Sequence, residues 1–148
     1  MMEAYDATAV PSEGFLPQVG TLNGNPVAAA AGLATLDVIS QPGTYEVYRE
    51  RGRRLRSGLQ RMLDEAEIPA VVSGDDIMFD VYFTDHTLTD YRSTLDADKA
   101  MSKTFDHALL ENGVFKSPGK IYVGMCHDDR DVSQTLDAFQ NSVDALRD

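Results

Sequence analysis

Gly20-Thr21-Leu22-Asn23-Gly24-Asn25-Pro26 runs into the Ala-rich stretch Val27 to Leu36. Asn25 can cap free backbone N–H groups, and proline tolerates the first helical position. The spacing therefore predicts a helix from Pro26 to about Ser40, carrying Leu33, Leu36, Val38 and Ile39. Apolar side chains fall on nearly every face, so this helix is expected to be buried against other elements. Gln41-Pro42-Gly43 stops it. Upstream, the residues before Gly20 show no sustained period and carry Pro11, Gly14 and Pro17, which reads as an irregular arm.

Downstream, Tyr45, Tyr48, Leu55, Leu59, Met62 and Ala66 recur at three- and four-residue steps, predicting a helix from about Thr44 to Glu67 that ends at Ile68-Pro69. Ala70 to Ser73 and Ile77 to Phe83 read as strands joined by Gly74-Asp75-Asp76. Alternation puts Ile77, Phe79, Val81 and Phe83 on one face and Met78, Asp80 and Tyr82 on the other. Beyond a polar loop, a third helix is expected near Thr94 to Asn112, with Leu95, Met101, Phe105, Ala108 and Leu109 inward and Gly113 as its stop. Val114-Phe115 and Ile121 to Cys126 read as strands about the Lys116-Ser117-Pro118-Gly119 turn. A last helix opens at Asp128 and carries Val132, Leu136, Phe139, Val143 and Leu146. Segregated helices and short strands indicate an α+β domain, helices covering one face of a small sheet.

A chain of 148 residues can bury a real core in one domain. No apolar run approaches the roughly 18 residues of a membrane helix. The amino end lacks the pattern of a secretory signal, so the expected address is cytoplasmic. The single cysteine, Cys126, rules out an internal disulfide. A net charge of −11 argues against a nucleic-acid partner, which demands a basic face. Arg49, Arg51, Arg53, Arg54, Arg56 and Arg61 crowd into one segment, which reads as a solvated helix face salt-bridged to the acidic remainder.

Function enters through resemblance. The Gly20–Pro26 segment and its Ala-rich helix resemble the matching motif of class III pyridoxal-phosphate-dependent aminotransferases, and are similar to those of glutamate-1-semialdehyde aminomutases. Pro42-Gly43-Thr44-Tyr45, Gly52-Arg53-Arg54-Leu55, Asp76-Ile77-Met78-Phe79, Phe83-Thr84-Asp85, Asn112-Gly113-Val114-Phe115 and Cys126-His127-Asp128-Asp129 follow in the family's order. The resemblance covers Gly20 to the end. It implies an arm with a phosphate-contacting loop over residues 1–25, a crossing helix over 26–41, and over 42–148 the small C-terminal domain of a fold-type I enzyme. It implies that Gly20 and Thr21 contact the phosphate of pyridoxal 5'-phosphate held by the neighbouring subunit of a homodimer; the alternative is a plain helix-entry turn. It also implies that the Schiff-base lysine and the acidic partner of the pyridine nitrogen lie in sequence upstream of the motif. Lys99, Lys103, Lys116 and Lys120 all fall in the small-domain segment. None has the context of the cofactor lysine, so this chain is assigned no catalytic residue.

Between Pro118 and His127 the chain is shorter than in typical glutamate-1-semialdehyde aminomutases, which opens the identity of the substrate. In similar relatives a basic residue stands near the substrate entrance at the position of Lys120, where it could receive a substrate carboxylate; the alternative is an exposed strand-edge lysine. His127 is expected to hold local hydrogen bonds before a helix cap. His86 and His107 have no metal-site spacing, and no metal is expected. Asp75-Asp76 and Asp128-Asp129 read as turn and cap residues. Two readings stay open. One is a part of an aminotransferase, inactive alone, completed by a homodimer or a large-domain chain and acting on small amino donors and acceptors. The other is a non-catalytic binding or dimerisation module derived from that fold.

Overall fold

The computed structural model describes Thr8, Leu16, Gly20, Leu22, residues 24–117 and residues 119–147. The chain divides between Pro42 and Gly43 into two compact units. In the first, helix α1 spans Pro26–Ile39. Its start is the one expected: Asn25 Oδ1 accepts from the N–H groups of Val27 at 2.9 Å and Ala28 at 3.3 Å. Burial is not as expected. No residue of α1 is buried, and Val27, Leu33, Leu36 and Val38 are exposed. A helix apolar on all sides needs neighbours on more than one side to be covered.

The second unit is an α+β domain. Helix α2 spans Thr44–Glu65, strands β1 and β2 span Val71–Asp75 and Met78–Tyr82, and helix α3 spans Lys99–Glu111. Strand β3 is Ile121–Tyr122 and helix α4 is Asp129–Asp144. The strands form one antiparallel sheet in the order β1-β2-β3, with Asp75 paired to Met78 and Phe79 paired to Ile121. The helical stripes and one sheet face close on a common core. Leu55, Leu59 and Leu63 come from α2, Phe105 and Leu109 from α3, and Val132, Phe139 and Val143 from α4. Phe79, Val81 and Phe83 come from β2 and its continuation. Phe105 is the hinge of this packing, its ring 5.8 Å from Phe83 and 6.3 Å from Phe139. Burying each such side chain stabilises the fold by about 1.5–3 kcal/mol.

Several boundaries move for local reasons. Helix α2 ends before Ile68 because Glu67 takes a left-handed conformation (φ 57°). The Ile68 N–H then reaches Leu63 O and the Glu67 N–H reaches Asp64 O, which closes the orphan carbonyls. The β1–β2 turn is tighter than Gly74-Asp75-Asp76, since Gly74 and Asp75 pair within the ladder and only Asp76 and Ile77 turn. Helix α3 begins at Lys99, because Asp98 caps it through the N–H groups of Ala100 and Met101. Thr94 instead ends a short 3-10 turn, Arg92–Thr94, and Leu95 is exposed. Val114-Phe115 forms no strand; only an isolated bridge, Ser117 to Lys120, precedes β3. The last strand stops at Tyr122, beyond which the His127 N–H turns back to Gly124 O.

Candidate functional site

Of the two residues expected to contact a phosphate, Gly20 is exposed, with φ 154°, at the edge of the region that favours glycine. Thr21 lies outside the described residues, as does most of the 1–25 arm. Gly24 and Asn25 complete the helix entry, with the Asn25 N–H donating to Leu22 O at 3.1 Å. No acidic residue stands in the first turn of α1.

Lys120 is exposed on the bridge to Ser117, and its N–H donates to Ser117 O at 3.3 Å. It lines an open groove of about 520 Å³ together with Ser73, Asp80, Tyr82, Asp90, Tyr91 and Thr94. Lys99 and Lys103 are exposed on α3. Lys116 is different. Its side chain is only 5% exposed, and its ammonium stands 3.2 Å from Asp80 Oδ1 and 3.1 Å from Asp106 Oδ1. Asp80 is itself buried, and its Oδ1 also accepts from the Val81 N–H at 3.0 Å. Asp80 lies on the sheet face opposite Phe79 and Val81, where Lys116 covers it. A lone carboxylate within an alternating apolar strand was the only local sign of such a partner. A cofactor lysine needs an amine at liberty to condense with an aldehyde. Among the described residues, Lys99, Lys103 and Lys120 are exposed and Lys116 is committed to two carboxylates.

The arginine-rich face of α2 is a ladder of ion pairs. Arg49 pairs with Asp75 at 2.8 Å, Arg56 with Asp76 at 3.0 Å and Arg54 with Asp129 at 3.0 Å. Arg51 donates to the carbonyl of His127 at 2.9 Å. These contacts tie α2 to the hairpin turn on one side and to the start of α4 on the other. The Arg49 hydrogen bond holds the Asp75 carboxyl below the usual carboxylate range. Asp128 is likewise lowered, first by the Asp131 N–H and then by that of Arg130. Asp131 completes the capping box by accepting from the Asp128 N–H at 2.9 Å. Burial raises the Tyr48 hydroxyl, which donates to Val123 O.

His127 has the local role expected of it: Nδ1 accepts from the Gly124 N–H at 2.9 Å. It also lines a cavity of about 390 Å³ with Val114, Phe115, Tyr122, Gln134 and Phe139. Cys126 is exposed. Among the described residues no three His, Cys, Asp or Glu side chains gather as metal ligands would, and no helix is long and apolar enough to cross a membrane.

No family model matches the chain. It is 38% identical over 129 residues to a glutamate-1-semialdehyde 2,1-aminomutase of Desulfosudis oleivorans, covering 85% of this chain and 30% of the relative. It is 34% identical over 145 residues to the enzyme of that name from Desulfitobacterium hafniense, covering 96% and 34%. Among solved structures, an omega-transaminase from Sphaerobacter thermophilus matches 99% of this chain and 34% of its own, with a TM-score of 0.81 and 27% identity. A transaminase with pyridoxal phosphate bound matches 98% and 32%, with a TM-score of 0.75 and 26% identity. The chain thus spans about a third of the length of the curated relatives it matches. In sequence and in fold alike, it corresponds to a part of a class III pyridoxal-phosphate-dependent aminotransferase, similar to the glutamate-1-semialdehyde aminomutases.

Proposed function

We propose that this chain is the small-domain portion of an enzyme that moves an amino group between an amino acid or amine and an oxo acid or aldehyde. The observation that carries the reading is the match in sequence over nearly the whole chain to aminomutases that are about three times its length. On this reading residues 1–25 form the arm with the phosphate-contacting loop, 26–41 the crossing helix and 42–148 the small domain. Gly20 and Thr21 meet the cofactor phosphate, and Lys120 receives a substrate carboxylate. The cofactor, pyridoxal 5'-phosphate, supplies an electron sink when bound. The lysine that carries it belongs to another segment or another chain, so this chain is inactive alone. Exposed Val27, Leu33, Leu36 and Val38 on α1 support association with a second copy or a large-domain chain.

A chimera tests this reading: the chain replaces the matching third of the Desulfosudis oleivorans aminomutase, cofactor binding and amino transfer then being measured. Retained cofactor binding with measurable amino transfer is the expected result. A folded chimera that no longer binds the cofactor would overturn the assignment.

A further inference from the structure

Lys120 meets no acidic partner among the described residues, although the chain carries a net charge of −11. Lys120 is held on one side by Ile121, which pairs with Phe79 in the sheet, and on the other only by an exposed bridge to Ser117 closed by one long hydrogen bond of 3.3 Å. The neighbouring Lys116 is the reverse, a flexible side chain almost wholly withdrawn from water. Buried charges persist only when paired, and here one ammonium answers Asp80 from β2 and Asp106 from α3. Such clusters contribute little net stability compared with apolar packing, but removing one partner leaves a buried charge uncompensated. Asp80 and Asp90 both line the Lys120 groove and only Asp80 is answered by Lys116, so without Lys116 a second carboxylate would face an incoming anion.

We propose that Lys116 is a positioning residue: its ammonium, tethered to Asp80 and Asp106, fixes the Ser117–Lys120 bridge, masks the Asp80 charge and holds Lys120 over the groove to receive an anionic group. This rests on the reading of Lys120 as a carboxylate receiver. The two functions of Lys116, anchoring and masking, are separable. Lys116→Met alone releases the bridge and leaves the Asp80 charge unmasked, whereas the Lys116→Met/Asp80→Asn double variant releases the bridge with that charge removed. Weaker succinate binding in the single than in the double variant reads masking, and equal binding overturns it.

The test uses the full chain and reads backbone amide exchange by NMR, with succinate as the anionic probe. In the double variant the Lys120 amide should exchange about tenfold faster, beyond any change at the core amides of Leu59 and Phe139, which report global opening. An increase at Lys120 no larger than that in the core overturns the anchoring role. If the double variant fails to fold, Asp106→Asn removes one tether and should give the same local pattern at smaller amplitude; no local change there also overturns it. Succinate should shift the backbone amide signals of Tyr82 and Thr94, which line the groove, saturably in the wild type, and about tenfold more weakly both in Lys120→Ala and in the double variant. No saturable shift in the wild type removes the carboxylate reading of Lys120, while the exchange data still decide whether Lys116 anchors the bridge.

Discussion

A β-carbon on Gly52 would lie 2.1 Å from the carbonyl oxygen of Asp76, so helix α2 and the β1–β2 turn touch backbone to backbone. The contact is flanked by Arg53 and Arg56, which both reach the Asp76 carboxylate. Only glycine permits this approach, because the atom in the way belongs to the main chain of a two-residue turn and has nowhere to go. Gly52→Ala should therefore destabilise the domain by about 1–3 kcal/mol, the range for overpacking. Urea unfolding checks it, and a midpoint unchanged from wild type would contradict the contact. Gly58→Ala offers a contrast: the obstacle there is the Leu136 side chain at 2.6 Å, which can turn aside, so a smaller loss is expected.

How much was legible follows from which signals were local. Asn25-Pro26 and Asp128 announced their helices because a cap acts within a few residues of sequence. The arginines were read as a salt-bridged face, and Asp75, Asp76 and Asp129 answer them. Helix α3 starts later than the sequence predicts, because Thr94 closes a 3-10 turn and Asp98, whose N–H donates to Phe83 O at 2.9 Å, takes the cap. Phe115 looked like a strand residue and is 83% exposed, since the chain leaves α3 at Gly113 in a direction that periodicity does not encode. The Lys116–Asp80–Asp106 cluster joins three elements distant in sequence, and no spacing rule brings them together.

Acidification gives a second prediction. The Asp128 carboxyl is lowered in the folded chain by the N–H groups it caps. A depressed carboxyl contributes stability that is present above its unfolded pKa and lost as pH falls through the folded value. Asp128→Asn keeps the capping oxygen but not the titration. The advantage of wild type over Asp128→Asn in urea midpoint should be full at pH 6 and should shrink as pH falls below about 4. A gap that stays constant with pH would contradict the assignment.

Association is the third. With Val27, Leu33, Leu36 and Val38 exposed on one helix, the chain should form dimers or larger species at micromolar concentration. Light scattering checks this, and Leu33→Asp with Leu36→Asp should return the mass to that of a monomer. A monomeric wild type with α1 helical by NMR would count against it.

The fourth concerns Thr21 in the aminomutase chimera. Removing one hydroxyl from an acceptor-rich phosphate loses a charge-assisted hydrogen bond of roughly 1.5–3 kcal/mol. Thr21→Ala should then weaken cofactor affinity by about tenfold to a hundredfold with the fold intact. The effect should act in trans. A mixed dimer with Thr21→Ala in one subunit and the cofactor lysine removed from the other retains a single lysine-bearing site, which should stay normal if Thr21 serves the partner's cofactor. Unchanged affinity in the Thr21→Ala homodimer would reject the phosphate contact.

The most direct test of the central claim treats the pure chain with pyridoxal 5'-phosphate, records absorbance in the internal-aldimine region, reduces with borohydride and maps the modified peptides. The account predicts no saturable band and only scattered, substoichiometric labelling of the exposed Lys99, Lys103 and Lys120, with no turnover of any amino donor. One lysine labelled stoichiometrically, with a saturable band and cofactor-dependent amino transfer by the chain alone, would contradict it.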